Sequence, residues 1–203
     1  MKLTAMIPAR MGSERLKLKN LALLNGKPLI SYAIEAAKTS GVFDDIIVNS
    51  DGEIFRDIAS RYQVGFSLEP SYLGAAKSDD VVYDFLRRNP CDVIAWVNPI
   101  SPLQTGDEIS SVIKFFLDND LDTLITVRNE QVHCVYENAP INFSIDGLFA
   151  KTQDLIPVQS FVYSIMMWKS SSFISSYDTN GHAVLCGKIG YYPVSKASSV
   201  IIK

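Results

Sequence analysis

The chain has little net charge, few cysteines and no long apolar run. Its 203 residues carry 19 Lys+Arg against 22 Asp+Glu, a formal net charge of −3. That balance excludes the basic footprint of a dedicated DNA- or RNA-binding module, so no nucleic-acid partner is expected. The three cysteines, Cys91, Cys134 and Cys186, are odd in number and widely spaced. They fit neither a disulfide framework nor a zinc site, and reduced structural thiols point to a cytoplasmic protein. No stretch approaches the ~18 consecutive apolar residues of a membrane span. Met1 to Ile7 is too short for a signal segment and is followed at once by Pro8 and Arg10, so no membrane partner is expected either. His133 and His182 are the only histidines, and neither has metal-ligand spacing. Cys134 adjoins His133, but neighbours on a strand point to opposite faces, which argues against a catalytic Cys–His pair. Neither G-x-x-x-x-G-K-S/T nor G-x-G-x-x-G occurs, so neither a P-loop ATPase nor a dinucleotide enzyme is supported.

What is present is a chain able to bury a core. Hydrophobic residues make up 47% of it and charged residues 20%, and its length matches one globular domain over 1–203. Leu3 to Ile7 is a short apolar run closed by Pro8, the pattern of a buried strand feeding a loop. A helix is predicted from Pro28, with Ile30, Ala33, Ile34 and Ala37 at helical spacing and Gly41 as its C-terminal cap. After a strand at 46–48, Ser50-Asp-Gly-Glu53 reads as a capping box that opens a helix with Ile54, Ile58 and Tyr62 on one face. A strand near 64–67 ends at Glu69-Pro70, and a helix runs from about Ser78 to Arg88 with Val82, Phe85 and Leu86 inward. Residues 92–97 are nearly continuously apolar, as in a strand buried on both faces of a parallel sheet. Thr105-Gly-Asp-Glu108 is a second capping box, before a helix striped by Ile109, Val112, Ile113, Phe116 and Leu117, and 122–127 is a fifth strand. Four rounds of strand then helix predict a doubly wound, mostly parallel α/β sheet, with ligands at the carboxyl ends of its strands. Residues 129–160 are polar, hairpin-like and broken by Pro140, Gly147 and Pro157, and read as an inserted flap. A helix near 168–177 and a strand near 188–192 return the chain to the core, with Met166, Met167 and Trp168 as core or interface filling.

The loop from Pro8 to Asn20 stands out. Four basic residues, Arg10, Arg15, Lys17 and Lys19, against Glu14 give it +3, which leaves −6 on the rest of the chain. Gly12 and Ser13 let a backbone approach and offer N–H and hydroxyl donors to phosphate oxygens, while Arg supplies forked donors and Lys a mobile point charge. Two readings stand at this point: an anion trap, or a solvated charge run.

Ile7-Pro-Ala-Arg-Met-Gly-Ser-Glu-Arg-Leu-Lys-Leu-Lys-Asn20, followed by Asn25-Gly-Lys-Pro-Leu29, resembles the signature of the acylneuraminate (CMP-sialic acid) cytidylyltransferases and their relatives acting on other 2-keto-3-deoxy sugars. Ile47-Val-Asn-Ser-Asp51 resembles that family's second strand and turn, and Asn98-Pro-Ile-Ser-Pro-Leu103 its proline loop after the fourth strand. The resemblance covers most of 1–128 well and 129–203 loosely. It implies a Rossmann-like nucleotidyltransferase fold that binds CTP at the first loop. The anomeric hydroxyl of a keto-acid sugar would attack the α-phosphate and pyrophosphate would leave, a transfer that depends on charge neutralisation and alignment. By resemblance, Arg10 and Lys19 hold the triphosphate and stabilise developing charge. Ala9, Gly12, Ser13 and Arg15 shape and close the nucleotide loop, Asn20 anchors it or contacts the nucleotide, and Asn98 offers an amide in place of a usual glutamine. The flap would pack against a second subunit through residues such as Val132, Val135, Tyr136, Ile141 and Phe143, giving a homodimer.

The chain departs from the family pattern at several positions. Mg²⁺ is implied by the resemblance, but Ile201 and Lys203 stand where its carboxylates are usual, and Ile100 where eight-carbon-sugar enzymes place an aspartate. Asp51 and Asp79 are the remaining carboxylate candidates. Glu69 and Gln104, the latter a candidate substrate contact, each stand where arginine is usual, and Val162-Tyr-Ser164 replaces Asn-Gly-Ala. In the resembling enzymes the chain continues into a closing helix, and Lys203 falls within what reads as an unfinished strand. Three functions are compatible with this pattern: a cytidylyltransferase of altered substrate choice, a nucleotide-binding or assembly subunit without catalysis, and a nucleotidyltransferase or glycosyltransferase using another nucleotide.

Overall fold

The computed structural model describes every residue except 13–15, 74–75 and 203, and only the backbone of Ser71. Seven strands make the central sheet: β1 (Leu3–Pro8), β2 (Asp45–Ser50), β3 (Gly65–Leu68), β4 (Val93–Val97), β5 (Thr123–Glu130), β6 (Val158–Lys169) and β7 (Ile189–Pro193). Their order in space is β7-β5-β6-β4-β1-β2-β3. All neighbours pair in parallel except β6, which runs antiparallel to β4 and β5. Five helices, α1 (Leu29–Ser40), α2 (Ile54–Arg61), α3 (Ser78–Arg88), α4 (Gly106–Asp118) and α5 (Ser170–Asn180), cover its faces.

The period-two geometry of the strands builds both cores. Leu3, Ala5 and Ile7 of β1, with Val93, Ala95 and Val97 of β4, pack into the cluster that holds Ile34 of α1, Phe55 of α2 and Phe116 of α4. Met6 and Ile94 point the other way, into the cluster of Phe85 from α3 and Phe173 from α5. Apolar side chains on both faces explain why these strands read as continuous runs. The doubly wound, mostly parallel sheet is as expected. Gly41 closes α1 with φ +66, its N–H donating to Lys38 O at 3.2 Å.

Several local expectations are corrected. Ser50 does not cap α2: it is buried at the end of β2, its Oγ donates to Ala9 O at 2.5 Å, and it accepts from Gly52 N at 3.0 Å. The helix starts at Ile54; Ile58 and Tyr62 pack against the core as expected, but Ile54 is exposed and the fully buried residues are Phe55 and Ala59. At α4 half of the box forms, Thr105 Oγ1 accepting from Glu108 N at 3.3 Å, while the Glu108 carboxylate accepts from Ser195 N instead. The flap is narrower than 129–160, because β5 runs on to Glu130 and β6 begins at Val158. Between them lie a short hairpin, Val135–Tyr136 against Ala139–Pro140, and a 3-10 turn at Thr152–Asp154. Trp168 belongs to β6 and the last helix opens at Ser170: in register with Ile94 and Thr123, the fully buried indole is held by the sheet and donates from Nε1 to Val184 O at 2.9 Å.

Candidate functional site

After β1 the chain adds β2 and β3 on one side and then returns to β4 on the other. The carboxyl ends of β1 and β4 therefore diverge at a topological switch point, where open α/β sheets bind ligands. A cleft of about 370 Å³ opens there. Pro8, Arg10, Lys19 and Asn20 line it from the first loop, Trp96, Asn98 and Ile100 from the end of β4, and Ala76, Ser78 and Val81 from the start of α3. Arg10, Lys19, Asn20 and Asn98, predicted from positions far apart in the chain, thus meet in one cavity.

The first loop is tied down from beneath. Ala9 is fully buried, its N–H donating to Asn49 O at 2.9 Å and its carbonyl accepting from Ser50 Oγ. Ala9 therefore shapes the loop, with its N–H and carbonyl both bonded to β2. Met11 N donates to Asp51 Oδ1 at 2.8 Å. Buried Asn20 directs Nδ2 to Arg10 O at 3.4 Å, which is an anchoring role. Arg10 donates from Nη1 to Ala76 O at 3.2 Å and sets Nε 3.2 Å from Glu69 Oε1, so two edges of its guanidinium are fixed. Gly12 is exposed, and a Cβ there would meet nothing within 4 Å. Ser13 and Arg15 lie outside the described residues.

The second wall is the proline loop. Asn98 N donates to Ser164 O at 2.9 Å, and Asn98 Oδ1 accepts from Ile100 N at 3.3 Å, which leaves Nδ2 as the group available to a ligand. Ile202 N donates to Ile100 O at 2.8 Å, and Lys19 Nζ reaches Ile202 O at 3.5 Å. The segment expected to carry metal carboxylates is therefore at the cleft, with isoleucines in it; Lys203 lies outside the described residues. Gln104 is buried, with Nε2 donating to Ser164 Oγ at 3.4 Å, and it does not line the cleft. It braces the Val162–Ser164 stretch.

The donor set does not fit a protein-held Mg²⁺, which needs oxygen ligands. Asp79 Oδ1 accepts from Ala183 N at 2.6 Å and Val184 N at 2.9 Å, pinning the connection between α5 and β7. Asp51 is engaged by Met11, and Glu69 by Arg10 and Asn49. No group of three or more His, Cys, Asp or Glu among the described residues could hold a metal ion.

Trp96, which the sequence pattern places only within a buried strand, lines the cleft. Its Nε1 is buried without a hydrogen-bond partner, which makes it a donor in search of an acceptor. Its place near the carboxyl end of a doubly buried strand was the available signal. Burial of Glu69 pushes its carboxyl up from the ordinary value, against the pull of Arg10. Burial likewise raises the thiols of Cys91 and Cys186, in keeping with a structural role.

Residues 4–140 match the family model described as "Cytidylyltransferase". An N-acylneuraminate cytidylyltransferase of Escherichia coli is 34% identical over 120 residues, 57% of this chain and 28% of that protein. A pseudaminic acid cytidylyltransferase of Campylobacter jejuni is 48% identical over 62 residues, 30% of this chain and 27% of that protein. The chain thus spans about a third or less of these relatives' length in the matched segments. Among solved structures, CMP:2-keto-3-deoxy-manno-octonic acid synthetase complexed with CTP superposes with a TM-score of 0.74 at 14% identity, covering 96% of this chain and 91% of that one. That likeness shows the fold.

Proposed function

Because the chain belongs to the cytidylyltransferase family, we propose that its cleft binds CTP and that CMP is passed from it to an acidic 2-keto-3-deoxy sugar of the sialic acid kind, with release of pyrophosphate. The observation that carries this reading is the meeting of Arg10, Lys19, Asn20 and Asn98 around one cleft at the switch point of the sheet. Its volume lies within the range of small-ligand pockets. The phosphates would lie against Arg10 and Lys19, whose charge offsets what develops as the sugar's anomeric hydroxyl attacks the α-phosphorus and the bond to pyrophosphate breaks. Asn98 Nδ2 and Trp96 Nε1 supply neutral donors to the nucleotide or sugar. No step is assigned to a metal, since among the described residues no group of carboxylates is disposed to hold one.

The flap supports a homodimer, because Ile145, Leu148, Phe149 and Ile156 are exposed on it. Among the described residues no helix is long and apolar enough to cross a membrane, and three free cysteines suit a reduced, cytoplasmic setting.

Mixing the protein with CTP, Mg²⁺ and a panel of eight- and nine-carbon keto-acid sugars tests the reading. Pyrophosphate release with at least one sugar is expected. Ile202, bonded to the cleft residues Ile100 and Lys19 where a metal-binding segment would run, favours a second reading, a nucleotide-binding subunit without turnover, and CTP binding with no release from any sugar would establish that one instead. Preference for UTP or GTP would move the site to another nucleotide.

A further inference from the structure

Glu69, the last residue before Pro70, lies beneath the cleft. Its side chain is 1% exposed, against 31% for Arg10. Oε2 accepts from Asn49 Nδ2 at 2.9 Å. Oε1 sits 3.2 Å from Arg10 Nε, an ion pair without a well-formed hydrogen bond. A buried carboxylate with one bare oxygen is incompletely compensated.

The charged groups around it come from three elements. Arg10 approaches from the loop after β1, Asp51 from the end of β2 and Arg88 from α3. Arg88 is itself engaged by Asp84 and by Asn49 Oδ1, which weakens its hold on Glu69. Arg10 is thus the principal counter-charge, and it is also the cation that faces the cleft.

We propose that Glu69 is the positioning residue for Arg10 and the internal anion that an incoming polyphosphate displaces: ionised, it holds the guanidinium at the cleft, and it takes up a proton from solvent at Oε1 when phosphate claims Arg10. This rests on the nucleotide reading above. A polyphosphate next to an ionised buried carboxylate sets anion against anion where screening is poor, and protonation of Glu69 removes that repulsion. The carboxyl therefore has a higher pKa in the complex than in the free protein. By linkage, affinity is greatest at low pH and falls as pH rises from the free towards the bound pKa.

The test is calorimetric titration of the full chain with CTP, without added metal, from pH 8.5 to 5.5 in buffers of different ionisation enthalpy. Comparing wild type with Glu69→Gln cancels the titration of the phosphate itself. Glu69→Gln is expected to bind about three- to tenfold more tightly at pH 8.5, tenfold corresponding to one unit of pKa shift, and the gap between the two proteins narrows as pH is lowered. Wild type should take up protons that the variant does not. Matching pH profiles and proton counts, or weaker binding by the variant at every pH, would overturn the proposal. Should Glu69→Gln fail to fold, carboxyl ¹³C spectra of wild type decide: one buried glutamate must titrate higher with CTP than without, and glutamate curves that CTP leaves unmoved overturn it. Absence of CTP binding by wild type at any pH overturns the nucleotide reading as well, whereas intact binding with no coupled proton overturns this inference alone.

Discussion

Lys19 and Gly12 test the first loop in opposite senses. Lys19 lines the cleft and its Nζ lies 3.5 Å from Ile202 O, a long contact that a phosphate oxygen would replace with a charge-assisted one. Lys19→Ala should therefore weaken CTP binding about ten- to a hundredfold, since a hydrogen bond between charged groups contributes about 1.5–3 kcal/mol. Unchanged affinity would return the loop to a solvated charge run. Gly12 has open space around its missing Cβ and no positive φ that demands glycine. Gly12→Ala should leave thermal stability within about 0.5 kcal/mol of wild type and still weaken CTP binding, because only a bound phosphate would feel the methyl group. A melt and a titration on the same sample separate the two. At this scale the sequence was informative where chemistry is local: the +3 loop after a buried strand singles out a segment whose Arg10, Lys19 and Asn20 line one cavity. It was uninformative about Glu69, which looked like a lost positive charge. Its pairing with Arg10 depends on the register of β2 on β3 and on β1, which brings residues distant in sequence within 3.2 Å.

Asp122 shows how a single carboxylate holds elements together. At the start of β5 its Oδ1 accepts from Ser172 Oγ of α5 at 2.5 Å, and its Oδ2 accepts from Lys188 N before β7 at 2.8 Å. Those bonds, the Lys188 N–H foremost, hold its carboxyl below the ordinary aspartate value. A depressed folded-state pKa contributes stability that is complete above the unfolded value of about 4 and is lost as pH falls through the folded one. Asp122→Ala should cost about 1–2 kcal/mol at pH 7, and the gap to wild type should narrow at pH 3. Urea melts at the two pH values measure it; an equal gap at both would show that the carboxylate charge is not the source. The same region explains what pattern reading missed. β6 was not foreseen as a strand over its length: its pairing with β5 shifts register between Phe161 and Met166, and Tyr163 adopts φ +59. That irregularity breaks the period-two signal, and its antiparallel partners are set by long-range pairing. Helices α1, α3 and α4 were legible because their stripes and caps are written within a dozen neighbouring residues.

For the molecule as a whole, the opening charge count and the flap lead to one question about assembly. A net charge of −3 gives little mutual repulsion between copies, and the flap exposes Leu148 at 99%, Ile156 at 79%, Ile145 at 75% and Phe149 at 71%. Phe149 is not loose: its ring stacks on His133 with centroids 4.2 Å apart, and Phe143 meets both edge-on. Ordered aromatic and aliphatic groups at such exposure are the composition of an interface core. Sedimentation velocity is expected to find a dimer, and Leu148→Asp with Phe149→Asp to give a monomer. The two substitutions lie outside both core clusters, so the melting temperature should hold. Arg10, Lys19, Asn20 and Asn98 of the same chain meet at the cleft, so the monomeric variant should bind CTP as wild type does. A sugar pocket completed by the partner's flap would by contrast lose turnover on dissociation. A wild type that stays monomeric at tens of micromolar would remove the flap from the interface, and a monomeric variant with full turnover would confine the whole reaction to one subunit.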